Sequence, residues 1–434
     1  MGKLAVYTVG CKVNQSESEE LKAALCQAGH TLCGDPAAAD LCVVNTCTVT
    51  AESDRKCRKL IRWLNRQGAG KIVVAGCYAN LRPEELAPLP GVVRVLSREE
   101  KDRWHREVDM MLPHPEAARS AFPMARCRAF VKVQDGCERS CSYCIVPEAR
   151  GEEKSRPIDE VLDLAASWLK KGVREIVLCG VNLGKYGGGF GVDLGDLMRS
   201  VIGLGEGFRV RLSSIELEDL EMSWVEEWSR SGKVCPHLHL PLQSGDDAIL
   251  RDMGRGYGQN DFLAAVNKLR VAWPDAALTT EVIVGYPGES EAAFAETLKV
   301  LQEVRPSRVH VFRFSPRPGT AAGNRDDFLS PEVIRRRSSI LLERARRWRL
   351  QYAEERLGCA CGFLVEHVTE RNGVRVATGT TEDYIKAYLV EPQPEVRAGC
   401  LLKAYISGVS GDNVFVTPYK EYGGDGGSRK GFAG

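Results

Sequence analysis

Three cysteines, Cys137, Cys141 and Cys144, lie in "FVKVQDGCERSCSYCIVPEARG" with the spacing C-x3-C-x2-C. Thiolates are soft ligands that suit iron, and a three-cysteine loop can hold three irons of a cubane 4Fe–4S cluster. The fourth iron then has no protein ligand and can bind a substrate or cofactor. Zinc is the competing metal, but a structural zinc site wants a closed set of four ligands, and no histidine lies nearby to complete one. A disulfide framework fits poorly, because cysteine-dense secreted domains are small and these 16 cysteines are spread over 434 residues.

A second set of thiols is suggested by position. Cys11, Cys47 and Cys77 each end an apolar run ("TVGC", "VNTC", "VAGC"). Parallel strands bring such ends to one edge, where a doubly wound fold binds its ligands. Cys11 and Cys77 follow a glycine, which lets the backbone approach something bulky. Cys26 and Cys57 fall in helical patterns and Cys42 lies inside a strand pattern, so these read as buried structural residues. Spacing alone leaves two alternatives open for Cys11, Cys47 and Cys77: a second metal site, or three unrelated thiols.

The elements that must position these residues alternate between strand and helix. In residues 1–100, "KLAVYTVGC", "DLCVVNTC" and "KIVVAGC" read as buried strands, with amphipathic helices such as "SESEELKAALCQAG" between them. That alternation predicts a parallel α/β sheet. A charged, proline-bearing stretch at 101–125 reads as a partly helical linker. Residues 126–352 repeat the alternation with six candidate strands, which predicts a partial (β/α)6 barrel with its active site at the C-terminal strand ends. In its first helix, "SRPIDEVLDLAASWLKKG", Ile158, Val161, Leu162, Ala165, Trp168 and Leu169 form one apolar face, and Ser155 is placed to cap it. Residues 355–419 are β-branched and punctuated by "NG", "TG" and "GD", as in a small antiparallel OB-like β-barrel. Residues 420–434 read as a flexible tail.

Composition sets the surroundings. Hydrophobic content of 44% and charged content of 27% suit a globular chain with real cores. No apolar run approaches the ~18 residues of a membrane span, and the start lacks a charged-then-apolar signal layout, so the cytoplasm is the expected compartment and no membrane is expected as a partner. With a net charge of +1, any nucleic-acid site has to be a local patch.

The motifs together resemble a known family. C-x3-C-x2-C after the first strand of a βα barrel, with Tyr143 in the aromatic position, resembles the radical S-adenosylmethionine superfamily. There the open iron chelates the cofactor, and reduction cleaves it to a 5′-deoxyadenosyl radical; the protein supplies ligation and orientation. "GCKVNQSESE", "NTCTVT" and "GCYAN" ahead of that motif, then "GVNLGKYG", "HLHLPLQSGDDAILRDMGRGY", "TTEVIVGYPGES" and "VFRFSPRPGTAA" in order, resemble the methylthiotransferase family over nearly the whole chain. "GCKVN", "NTCTVTAESDRK" and "GTTEDYIKAYL" are most similar to the branch acting on threonylcarbamoyladenosine in tRNA. The resemblance implies two 4Fe–4S clusters, on Cys137, Cys141 and Cys144 and on Cys11, Cys47 and Cys77, together with S-adenosylmethionine. It also implies a TRAM-like RNA-binding barrel, a tRNA anticodon stem-loop as partner, a flavodoxin- or ferredoxin-like electron donor and a sulfur source. Nothing demands more than a monomer. Isopentenyladenosine in tRNA or a ribosomal protein is the alternative substrate, and an RNA-binding protein with structural or redox-sensing clusters is the reading from another class.

Four departures from the family pattern stand out: Glu281, Glu148, Leu217 and Asn80 replace an Asp, an aromatic, a Pro and a Gln. Other residues take expected roles around the clusters. Gly180 and Asn182 follow the second barrel strand, where the cofactor's amino group is met, although a turn also explains Gly180. Glu216 and Gln243 end their strands and are candidates for cofactor or substrate contacts, against plain rim polarity. His237 and His239 share one side of a strand and read as core histidines, and "RPGT" at Arg317 to Thr320 reads as a turn. Arg335, Arg336, Arg337, Arg346 and Arg347 form a basic helix that suits phosphate contacts or a solvated face. Tyr384, Tyr388 and Lys386, at strand spacing, suit base stacking or core packing.

Overall fold

Strand Leu41–Thr46 sends Leu41 and Val43 into one apolar cluster and Cys42 and Val44 into another. A strand buried on both faces belongs in the middle of a parallel sheet. It does so here. In the computed structural model, which describes residues 2–113 and 127–419, this strand lies between Lys3–Thr8 and Ile72–Gly76, with Thr31–Leu32 and Val92–Val95 at the edges. All pairings are parallel. Helices Lys12–Gln27 and Ala51–Arg66 cover opposite faces: Leu21 and Leu25 enter the cluster that holds Leu41, while Cys57, Ile61 and Leu64 enter the one that holds Cys42. Of the charged linker stretch, helix Trp104–Asp109 docks Trp104 and Val108 on this sheet, and residues 114–126 lie outside the described residues, as does the tail from 420.

Six further parallel strands follow: Arg128–Lys132, Glu175–Cys179, Arg209–Leu212, His237–His239, Ala277–Val284 and Arg308–Arg313. They form two three-stranded sheets joined by single bridges at Val210–Val234 and Ser214–His239, which makes an open, partial barrel. Helix Ile158–Lys170 lays its apolar face on the barrel core, with Val161, Ala165 and Trp168 buried. Ser155 does not cap it; Pro157 stands at the N-cap, and the Ser155 hydroxyl accepts from Gly187 N at 2.9 Å. Proline fixes the entering backbone but offers no side-chain acceptor to the first turn.

One ion cluster crosses three neighbouring barrel strands. Glu175 is fully buried, and its carboxylate accepts from Arg209 Nε at 2.6 Å and Arg211 Nε at 3.0 Å, with Arg128 Nε 3.7 Å away. Burial would raise this carboxyl, but Arg211 and Arg209 outweigh it and hold it well below the usual range. Glu175→Gln would leave three guanidinium groups without that charge. Breaking a buried pair this way costs about 3–5 kcal/mol. The urea midpoint at neutral pH should fall accordingly; a midpoint within error of the parent protein would refute the assignment.

The chain divides into two compact units, Met1–Tyr352 and Ala353–Gly434, so the sheet and the barrel belong to one unit. The second is a closed barrel of five strands, with Phe363, Val365, Ala377, Leu389, Ile406 and Val416 in its core. Tyr384 is not at strand spacing with Lys386: it sits in the preceding turn at φ 71°, and Lys386 opens the strand Lys386–Val390. The tight return after Thr381 requires a left-handed residue there, which takes Tyr384 out of the pleat. No helix among the described residues is long and apolar enough to cross a membrane.

Candidate functional site

The first barrel strand ends in a sharp turn at Gly136, φ 73°, where a Cβ would fall 1.8 Å from the Glu152 carbonyl oxygen. That turn delivers the loop of Cys137, Cys141 and Cys144 to the C-terminal end of the barrel. The loop is held from several sides. Ser142 N donates to Met253 O at 3.0 Å, Ala322 N donates to Ser142 O at 2.7 Å, and the Ser142 and Tyr286 hydroxyls lie 2.8 Å apart. Arg255, from the "MGRGY" segment, points its Nη1 at Cys141 Sγ at 3.5 Å and pairs with Glu216 through Nη2. Burial pushes the Cys137 thiol up and the Cys144 thiol up to about 12, and Cys141 adds to both. The three thiols are therefore close enough to feel one another's charge. Among the described residues, no three Cys, His, Asp or Glu side chains converge on a single ion. The three cysteines stand on one loop at the C-terminal end of the barrel, and a cubane, which puts each thiolate on its own iron, would be held from that loop.

Around this loop lie two buried acceptors with no partner. Asn182 is buried, donates its backbone N–H to Gln134 Oε1 at 2.7 Å, and donates Nδ2 to Glu153 Oε1 at 2.8 Å; its Oδ1 is left over. Gln243 adopts φ 63° and donates Nε2 to Glu281 Oε1 at 2.8 Å; its Oε1 is left over too. Buried polar atoms of this kind normally have a partner, so both fit the donors of a bound cofactor. Gly180 follows the second strand, and a Cβ there would come within 3.0 Å of the Gln134 side chain, which leaves no room for a larger residue. Glu216 caps a short helical turn at Leu217–Asp219, and burial raises its carboxyl despite Arg255. Tyr143 packs beside Met253, Tyr286 and Phe314. His237 Nε2 and His239 Nδ1 both lie 2.9 Å from the Thr279 hydroxyl.

The other three cysteines meet at neighbouring strand ends of the N-terminal sheet. Register pairs Thr46 with Gly76, which sets Cys47 beside Cys77, and the strand order puts Cys11 next to Cys47 at the switch point. Backbone packing is tight here: a Cβ on Gly76, φ 105°, would meet the Thr46 carbonyl oxygen at 2.5 Å. Cys11 is exposed, whereas burial pushes the Cys47 thiol up to about 11, with Cys77 and Cys11 adding to it. Arg150, six residues after Cys144, reaches into this second triad. Its Nη2 donates to Asn14 Oδ1 at 2.7 Å, its Nη1 to Asp135 Oδ1 at 2.7 Å and to Glu17 Oε1 at 3.0 Å, and the Cys11 thiol donates to the same Asn14 oxygen at 3.5 Å. A polar cavity of ≈ 400 Å³ opens beside Cys77, Arg150 and Lys132. Arg317, the residue read as part of a turn, is buried and binds Asp54 Oδ2 at 2.7 Å and Thr48 Oγ1 at 2.6 Å, just past Cys47.

Residues 131–301 match the Radical SAM superfamily, and residues 3–97 match an uncharacterized protein family, UPF0004. The threonylcarbamoyladenosine tRNA methylthiotransferase MtaB of Thermotoga maritima is 38% identical over 400 residues, covering 89% of this chain and 91% of that protein. This chain belongs to the radical SAM methylthiotransferases. The MtaB of Bacillus subtilis is 34% identical to the methylthiotransferase, covering 89% and 90% of the two chains. A tRNA-2-methylthio-N(6)-dimethylallyladenosine synthase of Sulfurimonas denitrificans is also 34% identical, covering 79% and 82%. Among solved structures, the radical S-adenosylmethionine methyltransferase TsrM of Kitasatospora setae superposes with a TM-score of 0.56 at 13% identity, over 74% of this chain and 75% of that one, which shows a shared fold. The family brings with it a 4Fe–4S cluster and S-adenosylmethionine.

The structure thus gathers the six cysteines into two triads and sets Tyr143, Gly180, Asn182, Glu216 and Gln243 on the loops at one end of the barrel. Arg337 needs correction. It is buried, with Nη1 on Glu289 Oε2 at 2.5 Å and Nη2 on Glu291 Oε1 at 2.7 Å, so it is an internal anchor rather than a phosphate contact. Its sequence neighbours hid this, because a helix with a 3.6-residue period turns one arginine of a run inward. Arg335, Arg336, Arg346 and Arg347 are exposed on the same helix; Arg336 pairs with Glu291 and Arg347 with Glu343. Sequence reading overlooked Arg150, Arg255 and Glu17. The first two stood in motifs already singled out, "VPEARG" and "MGRGY".

Proposed function

We propose that this enzyme converts N6-threonylcarbamoyladenosine, the nucleotide 3′ of the tRNA anticodon, to its 2-methylthio form. The observation that carries the substrate choice is the 38% identity over 400 residues to the MtaB of Thermotoga maritima. S-adenosylmethionine supplies, on reductive cleavage, a radical strong enough for an unactivated aromatic C–H, where ordinary acid–base groups contribute only ~10²–10⁴-fold. In this reading Cys137, Cys141 and Cys144 hold the cluster that binds the cofactor, and the orphaned oxygens of Asn182 and Gln243 orient it. Cys11, Cys47 and Cys77 would hold an auxiliary 4Fe–4S cluster, which would supply the sulfur for insertion. Arg150 balances negative charge beside that triad. The closed barrel with Lys386 and the exposed arginines 335, 336, 346 and 347 would hold RNA, in a cytoplasmic enzyme.

A specific alternative is isopentenyladenosine, because a dimethylallyladenosine synthase matches at 34% identity. Nucleoside analysis of tRNA from a deletion strain separates the two. The threonylcarbamoyl form lacking the methylthio group should accumulate. An unchanged threonylcarbamoyl pool, with loss of the methylthio group from isopentenyladenosine instead, would overturn the substrate reading.

A further inference from the structure

A cavity of ≈ 170 Å³ lies between the two cysteine triads. Val49 and Thr50, just after Cys47, line it together with Tyr143, Cys144 and Gln243, so it adjoins the place proposed for the cofactor. Phe312 and Phe314 close the far side. A group in this cavity would face both the Cys144 loop and the segment after Cys47. Its volume suits a base rather than a whole nucleotide, and its aromatic and aliphatic walls match the flat face of an unstacked purine. Enzymes that act on a base take it out of its stack into such a pocket.

Apolar walls alone do not account for Arg313. This residue ends the last barrel strand, Arg308–Arg313, and lines the cavity from its exposed rim. No acidic partner for it occurs among the described residues. The nearest lining carboxylate, Glu281, is already engaged by Gln243 at 2.8 Å and His239 at 3.5 Å, and His239 and Gln243 hold it charged and below its usual range against the upward push of burial. An adenine is neutral and needs no guanidinium beside it. A base whose N6 substituent ends in a carboxylate does, because a planar guanidinium matches a carboxylate with two parallel hydrogen bonds.

We propose that this cavity receives a flipped-out adenine of RNA and that Arg313 pairs with a carboxylate carried on its N6 substituent, which makes Arg313 a specificity-determining residue. The inference rests on the substrate reading above and adds the residue that enforces it. Its test uses the full-length protein, reconstituted anaerobically, and fluorescence anisotropy with three anticodon stem-loop RNAs. These carry N6-threonylcarbamoyladenosine, the methyl ester of the same nucleoside, or plain adenosine. The parent protein should bind the acid at least about tenfold more tightly than the ester, as one charge-assisted pair allows. Arg313→Gln, with iron content checked against the parent, should bind acid and ester alike, with the ester affinity changed by less than about twofold. Phe312→Ala should weaken all three RNAs together, since base stacking ignores the substituent. Full retention of the acid preference in Arg313→Gln overturns the proposal. So does loss of that preference in Lys12→Gln alone, which would assign the carboxylate to the ammonium whose charge reaches His237 and His310 inside the barrel. A parent protein that does not prefer the acid over plain adenosine would instead sink the substrate reading, a separate result.

Discussion

Replacing Cys141 with Ala is expected to abolish cleavage of S-adenosylmethionine, whereas Cys47→Ala should leave cleavage intact and abolish methylthiolation. The two triads stand on different supports. Cys137, Cys141 and Cys144 hang on a loop clamped by Met253, Ala322 and Arg255, and Cys47 ends the central strand of a separate parallel sheet with Thr48 held by Arg317. Loss of a thiolate removes a metal ligand outright, so each effect should be total rather than graded. The measurement is 5′-deoxyadenosine release and product nucleoside, from reduced, reconstituted protein. If Cys47→Ala also loses all cleavage while its first cluster is intact by spectroscopy, the sites are not separable in this way.

The second large effect is expected at Arg150. Its side chain is 6% exposed and binds Glu17, Asp135 and Asn14, linking the radical loop to the sheet that carries Cys11 and Cys77. Arg150→Gln leaves the buried Glu17 and the partly buried Asp135 short of a cation, and breaking such a network costs about 3–5 kcal/mol. The pH dependence has a definite sign. Burial alone would raise both acids, but Arg150 and Lys132 hold Asp135 down at about 2, and Arg150, Lys101 and Lys132 hold Glu17 well below its usual range. A depressed carboxyl contributes stability above its unfolded pKa of about 4 and loses it as pH falls through the folded value. The difference between parent and Arg150→Gln should thus be largest at neutral pH and shrink between about pH 4 and pH 2. Urea unfolding followed by tryptophan fluorescence reads this directly, and a difference that grows as pH falls would contradict the assignment. The same variant tests the site, because it removes a cation held 2.7 Å from Asn14 Oδ1, the oxygen that the Cys11 thiol meets at 3.5 Å, and should destabilise the charged form of that triad.

How much of this was legible beforehand varies with the reach of the interactions. The two sets of three cysteines are a sequence expectation, because ligand type and spacing are local, and a cysteine that ends an apolar run in a parallel sheet can only emerge at one edge. Strand and helix alternation likewise fixed the sheet and the open barrel, since periods of 2 and 3.6 are written along the chain. Cys42 and Cys57 were readable as core residues for the same reason, and both are fully buried.

Charged networks were not legible, and the reason is physical. An arginine's burial depends on which carboxylate the fold brings to it, often more than a hundred residues away. Arg150 meets Glu17, Arg317 meets Asp54, and Arg337 meets Glu289, and nothing in the adjacent sequence distinguishes these from solvated arginines such as Arg335. Tyr384 fell outside its expected strand because a turn two residues earlier set its φ. By itself, then, the sequence determined the family and the kind of scaffold, and it supplied the two sets of thiols proposed to hold clusters. Only the tertiary structure decided which cations stay buried to balance those sites and which one, Arg313, is left at the mouth of a cavity between them. Ligand spacing is a short-range property of one chain segment, whereas charge balance is a sum over everything the fold brings near.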